Sequence, residues 1–203
     1  MKKPEIEDPN NLPDLLWEAI NERLWHATST EGLKGILETG KIKIGNRYKN
    51  SLCRHLGCVS LFDFGPSAKN YDRQFLNWWG WFGHQQKSKV VVWLEIDRDA
   101  TADKVYDAGK MHEIWKKNLN KQFIPGVEAG HKGPIPLCVL KGALLIYHRH
   151  DLTRFERFEE VNETLIRQIE DFEKSLPPEP EPFKTRLEAS LNRYHKNEEE
   201  KKT

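Results

Sequence analysis

Residues 24–40, LWHATSTEGLKGILETG, restrict the fold more than any other stretch. Leu24 and Trp25 open a short apolar strand that delivers His26. A helix must begin almost at once, because Thr28 followed three places later by Glu31 is a capping-box pattern. Leu33, Ile36 and Leu37 give that helix one apolar face. Gly40 stands where a left-handed cap would stop it. The segment thus sets a histidine at a strand end, against a helix N-terminus. Such a place offers free N–H groups and a positive dipole end to a polar or anionic ligand.

The rest of the chain supplies partners for this strand. Residues 58–64, CVSLFDF, form an apolar run of strand length halted by Gly65-Pro66. Residues 89–97 are β-branched and continuous enough to form a central strand. Shorter strands are expected at 126–129 and 143–147, and helices at 14–20, 67–75 and 108–119. The strands and helices before residue 150 do not alternate regularly, which points to an α+β domain. A chain of 203 residues holds one such domain and an appendage.

Past residue 150 the character changes. Phe155, Phe158, Leu165, Ile169, Phe172 and Leu176 recur at helical spacings, predicting an amphipathic helix over 151–176 that could dock on a partner. The run PPEPEP at 177–182 is a stiff linker. A short helical piece and a charged, disordered end follow it. Pro4, Pro9 and Pro13 keep residues 1–13 from forming a helix. The expected organisation is a disordered 1–13, a domain over 14–150, the helix 151–176, and a linker and tail over 177–203.

The formal charge of +1 is unevenly spread, with about +5 before residue 151 and −4 after it. That excess suits a phosphate-bearing ligand and is too small to demand nucleic acid. Cys53, Cys58 and Cys138 are odd in number and form no CxxC pair, so neither a zinc site nor a disulfide framework is expected. The polar N-terminus and the lack of any membrane-length apolar run predict a cytoplasmic protein with no membrane contact.

Among candidate chemical residues, the eight histidines show no metal-ligand cluster, and His148-Arg149-His150 reads as a surface turn. His26 is set apart by its helix N-terminus: it is either a satisfied strand-end histidine or a ligand to a ribose hydroxyl. Glu128, between apolar residues and a glycine, is either a turn glutamate or the carboxylate of a glycosyl reaction. Glu95 and Asp97 compete for that role, Asp97 rather as the end of its strand. Ser60 can hold a carboxamide and Tyr71 can stack on an aromatic ring. The aromatic run at 75–84 is core or an exposed platform.

The order of these features resembles the ADP-ribosyltransferase superfamily, in its poly(ADP-ribose) polymerase-like and diphtheria-toxin-like branch. Leu24-Trp25-His26-Ala27-Thr28 with the Gly32–Gly40 helix resembles the branch's first motif. The strand at 57–64 with Ser67-Ala68-Lys69-Asn70-Tyr71 resembles the second, and Glu128 is similar in placement to the family's glutamate. The resemblance covers roughly residues 20–150. It implies a split mixed β-sheet with short helices, followed here by a helical tail, and NAD as the substrate.

In that frame His26 contacts the adenosine-side ribose, the Ala27 backbone next to Thr28 holds the nicotinamide carboxamide, and Tyr71 stacks on the nicotinamide. Ser67 or Ala68 takes the place of the carboxamide-binding serine. Glu128 bonds the nicotinamide ribose and stabilises the cation formed there. Ser60 stands where the branch usually carries a second stacking tyrosine, which favours mono-ADP-ribosylation over polymer synthesis. The implied activity is transfer to a macromolecule, protein or nucleic acid, by an intracellular toxin or defence effector. NAD hydrolysis, RNA 2′-phosphate transfer and a non-catalytic binding module of the same fold are the alternatives.

Overall fold

The computed structural model describes residues 16, 18–45, 48–65, 90–149 and 152–177. The expectations placed on residues 1–13, on Ser67, Ala68 and Tyr71, on the aromatic run at 75–84 and on the linker and tail from 178 onward lie outside the described residues. The chain divides into two compact units, residues 1–173 and 174–203, and every described strand belongs to the first.

β1 (Leu24–Thr28) leads into α1 (Thr30–Thr39), as the sequence suggests. The cap itself is one residue later than the capping-box pattern placed it. Ser29, in extended conformation, accepts from Gly32 N at 3.1 Å, and Thr28 remains the last strand residue. Residue 32 must be glycine beside it, since a Cβ there would lie 2.1 Å from Thr28 Oγ1. Gly40 ends the helix at φ 66°.

β2 (Lys41–Ile42) and α2 (Leu52–His55) precede β3 (Cys58–Asp63). β4 (Val91–Ile96), α3 (Arg98–Thr101), β5 (Val105–Tyr106) and α4 (Ala108–Lys116) come next. β6 (Glu128–Lys132), β7 (Ile135–Pro136), β8 (Leu140–Arg149), β9 (Leu152–Phe158) and α5 (Thr164–Ser175) complete the set. The architecture is α+β, as expected. The main sheet has seven strands in the order β5-β6-β3-β1-β4-β8-β9, and β2 pairs with β7 apart from it.

The sheet is not mixed in direction. Every ladder among the described strands is antiparallel, and parallel pairing is confined to two isolated bridges, Ser51↔Gln122 and Cys58↔Gly133. The continuous apolar run of β4 has another origin than a parallel sheet: all six of its residues are buried, so both faces of the strand are covered.

The helix expected over 151–176 is also corrected. Leu152–Phe158 is a strand paired with β8 from Ala143↔Phe158 to Arg149↔Leu152, and the helix is Thr164–Ser175. Phe155 and Phe158, spaced by three, mimic helical periodicity. They belong instead to an alternating strand whose Phe155 packs on the core. The domain therefore continues past residue 150, and His148-Arg149 ends β8 rather than forming a turn.

One face of the sheet carries the aromatic core, with Trp25, Trp93, Phe64, Val91, Leu144 and Ile146 joined by Leu16 and Ile20. Trp25 Nε1 donates to Ile20 O at 3.1 Å, which ties the segment before β1 to this face. A second cluster of Leu52, Cys53, Cys58 and Met111 lies under α2 and α4. Buried Asp63 fastens the end of β3: Oδ1 accepts from Gly65 N at 2.8 Å and from Arg98, and Oδ2 accepts from Ala108 N at 3.2 Å.

Candidate active site

The sheet forks beside His26. The β1–β3 ladder is two pairs long, Leu24↔Asp63 and Trp25↔Phe62. Beyond it β1 stays with β4 as far as Thr28↔Val92, while β3 stays with β6 down to Cys58↔Lys132. At the fork the imidazole of His26 replaces the missing ladder, with Nδ1 3.0 Å from the Ser60 carbonyl oxygen. A carbonyl can only accept, so Nδ1 carries the proton. Desolvation holds the His26 pKa below its ordinary value, against the opposing pull of the Ser60 carbonyl. The ring is therefore neutral at pH 7, and Nε2 is left as an acceptor for a hydroxyl.

Glu128 begins β6 opposite Phe62. It is buried, and each carboxylate oxygen has a neutral donor. Ser60 Oγ donates to Oε1 at 3.0 Å and Ile124 N to Oε2 at 2.7 Å. Burial raises the pKa of Glu128, opposed by the Ile124 N–H, the Cys53 thiol and the Ser60 hydroxyl. The Cys53 thiol also lies 3.4 Å from the Ala129 carbonyl. Burial and then the adjacent carboxylate push its own pKa far up, so it is a donor and not a nucleophile.

Ser60 therefore touches both expected residues, through its carbonyl to His26 and its hydroxyl to Glu128. Strand alternation explains the division. Ser60, Phe62, Glu128 and Trp25 share one face, and His26 leaves β1 from the other and reaches into the fork. Ala27 and Thr28 line the β1 side of the fork, Ala27 half-buried and Thr28 buried under Gly32. Phe62 is half-buried and stacks on Trp93 with centroids 4.7 Å apart.

Glu95, the rival carboxylate, is engaged elsewhere. Arg23 donates to its Oε1 at 2.8 Å and Arg157 to its Oε2 at 2.5 Å. Asp97 follows β4 and caps α3, accepting from Asp99 N and Ala100 N. Among the described residues no group of three or more His, Cys, Asp or Glu could hold a metal ion. No helix among them is long and apolar enough to cross a membrane.

Three participants are not legible as site residues in the sequence. Ile124 contributes only its N–H and Cys53 only a buried thiol, and neither carries a motif. Thr30, in the first turn of α1, has a buried hydroxyl without a partner among the described residues. No family model matches this chain, and neither the curated proteins nor the solved structures give a match.

Proposed function

We propose that the fork binds NAD and that the protein transfers its ADP-ribose group to a macromolecule, releasing nicotinamide. The observation that carries this reading is the single residue Ser60 joining a neutral, Nδ1-protonated histidine to a buried glutamate that has no cationic partner among its hydrogen bonds. His26 accepts from a hydroxyl of the adenosine-side ribose through Nε2. The backbone of β1 at Ala27, past the end of the β1–β3 ladder, takes the carboxamide. The N-terminus of α1, the helix that directly follows β1, would compensate the pyrophosphate.

Breaking the bond between C1′ and the nicotinamide nitrogen sends the electron pair to nicotinamide and leaves positive charge on C1′ and the ring oxygen. Glu128 as carboxylate accepts from the ribose 2′-hydroxyl and opposes that charge in a site with little water. The acceptor atom then bonds to C1′ and gives up its proton to solvent. Neither a metal nor an enzyme nucleophile enters these steps. The Cys53 thiol beneath Glu128 is held protonated and takes no part in them.

Incubation with NAD should release nicotinamide and label a macromolecule from a lysate, and Glu128→Gln should abolish both. Equal turnover by wild type and Glu128→Gln removes Glu128 from the chemistry. No thermal shift and no heat of binding at millimolar NAD overturns the reading altogether.

A further inference from the structure

Three long stretches that lie mostly among the described residues, 39–62, 114–127 and 129–150, contain no Asp or Glu. They hold eleven of the 32 Lys and Arg residues and none of the 31 acids. The rest of the chain is correspondingly acidic, which is why a net charge of +1 conceals them. The fold joins these stretches to one another. Lys41↔Pro136 and Ile42↔Ile135 pair in the small sheet, and Gly133 N donates to Gly57 O at 3.1 Å. Leu52 N donates to Gln122 O and Gln122 N to Asn50 O, both at 2.9 Å, and Asn50 Nδ2 to Asn120 O at 2.8 Å.

The loops 48–51 and 117–123 are thus zipped into one surface. Lys49 and Lys117 are exposed on it, and Lys121 is half-buried with Nζ 3.5 Å from Asn50 Oδ1. Two of the eleven are answered by acids outside the stretches, Lys116 by Glu113 at 2.7 Å and Lys141 by Asp97 at 3.3 Å. Asp63 is buried against Arg98, and the charge carried by the zipped loops is that of Lys49, Lys117 and Lys121. Among the described residues the exposed large hydrophobics are Tyr48, at 45%, and Leu119, at 69%, and both lie on these two loops. The 117–123 loop is also close to Glu128 along the chain. Three residues after Lys121, Ile124 N holds Glu128 Oε2, a chain distance of at most about 11 Å.

We propose that this surface binds nucleic acid and presents it to the fork, which makes the acceptor of the ADP-ribosyl group a nucleic acid. Lysines grouped without acids neutralise successive phosphates. Tyr48, an exposed aromatic ring, suits stacking on a base, and Leu119 adds apolar surface beside the lysines. The inference about the acceptor rests on the ADP-ribosyl transfer reading; the inference about binding does not.

The test is fluorescence anisotropy of labelled 20-nucleotide single strands, one of DNA and one of RNA, with the full-length chain from 50 to 200 mM salt. Wild type should bind at least one of them with a marked salt dependence. Lys49→Glu/Lys117→Glu should lose at least tenfold in affinity, with a shallower salt slope, and adding Lys121→Glu should lose more. Arg167→Glu, exposed on α5, should change nothing. Circular dichroism melts confirm that the charge-reversed variants fold, the double variant being wholly surface. No binding at 50 mM salt, equal binding by the double variant, or stronger binding of a polyglutamate peptide than of either strand overturns the proposal, the last in favour of an acidic protein. Labelled NAD then separates the two claims. Lysine-dependent binding without Glu128-dependent labelling of the strand keeps the surface and removes the transfer reading.

Discussion

Glu128 and Glu95 are nearly equally buried, at 5% and 6% exposure, and belong to the same row of the same sheet face. The row runs Glu128, Phe62, Trp25, Glu95 across β6, β3, β1 and β4, so three strand spacings, or about 14 Å, separate the two carboxylates. Burial and secondary structure do not tell them apart; their partners do. Glu95 is closed by two guanidiniums, and its charge is already answered. Glu128 is held by a hydroxyl, an amide N–H and a thiol, all neutral, and burial raises its pKa. A carboxylate with fixed geometry and an unanswered charge suits a reaction in which positive charge develops nearby. On the proposed reading, the pair sets a structural glutamate against a chemical one without reference to either one's sequence context.

The two glutamates should part most sharply under isosteric neutralisation. Glu128→Gln should lower nicotinamide release by on the order of 10²–10³-fold, the range seen when one preorganised electrostatic contact is removed from an active site. It should also make the protein more stable at pH 8. A carboxyl whose folded pKa lies above its unfolded value of 4.5 contributes stability that is complete below pH 4.5 and is lost as pH rises through the folded value. Gln cannot ionise, so its gain in Tm appears on the alkaline side and vanishes at pH 4. Lower stability of Glu128→Gln at pH 8 would contradict the absence of a cationic partner.

Glu95→Gln should behave in the opposite way. It leaves Arg23 and Arg157 facing an amide, and because both are about a third exposed the loss is nearer ~2 kcal/mol than the full value for a buried pair. For a domain of this size that lowers Tm by about 4–8 °C. Turnover per folded molecule should change by less than about threefold, since 0.6 kcal/mol corresponds to that factor. A loss of turnover matching that of Glu128→Gln, with Tm unchanged, would exchange the roles of the two.

Much of this was legible in the sequence, unevenly. The strand, histidine and capped helix at 24–40 were readable because local signals decide them: an apolar run, a cap and a terminal glycine. Glu128 was readable as a candidate by position, but not its preference over Glu95, because the arginines that distinguish them lie at 23 and 157. No periodicity brings residues so far apart in the chain together. The helix expected from residue 151 shows the reverse error. Phe155 and Phe158 fit a helical spacing, and pairing with β8, a long-range event, overrode it. The zipped loops at 48–51 and 117–123 were likewise hidden, since basic residues read one stretch at a time never reveal that two stretches meet.

Ser60 offers a finer cut. Ser60→Ala removes the hydroxyl given to Glu128 but keeps the carbonyl that holds His26. One hydrogen bond to a charged acceptor predicts about a tenfold loss in kcat with KM for NAD nearly unchanged. Because that hydroxyl helps lower the Glu128 pKa against burial, the acid limb of the kcat–pH profile should also move upward. A rise in KM with kcat and its pH limb unmoved would show that Ser60 meets the substrate and does not position Glu128.

The smallest effect belongs to His26. Its folded pKa lies below 6.5, so the stability linked to it is complete above pH 6.5 and is lost as pH falls toward the folded value, where the unfolded ring takes a proton that the folded ring resists. Between pH 7.5 and 5.5 the wild type should therefore lose slightly more stability than His26→Gln. On the proposed reading, any rise in KM for NAD should have its midpoint below pH 6.5, because the ring that would accept from the ribose takes its proton at lower pH than a free imidazole. Its titration is then separated from that of Glu128, which appears in kcat. A KM that climbs with a midpoint at 6.5 would mean that water reaches the ring as freely as it reaches an exposed histidine. The Ser60 carbonyl would then no longer fix the proton on Nδ1, and the fork would lose the acceptor that makes His26 and Glu128 parts of one site.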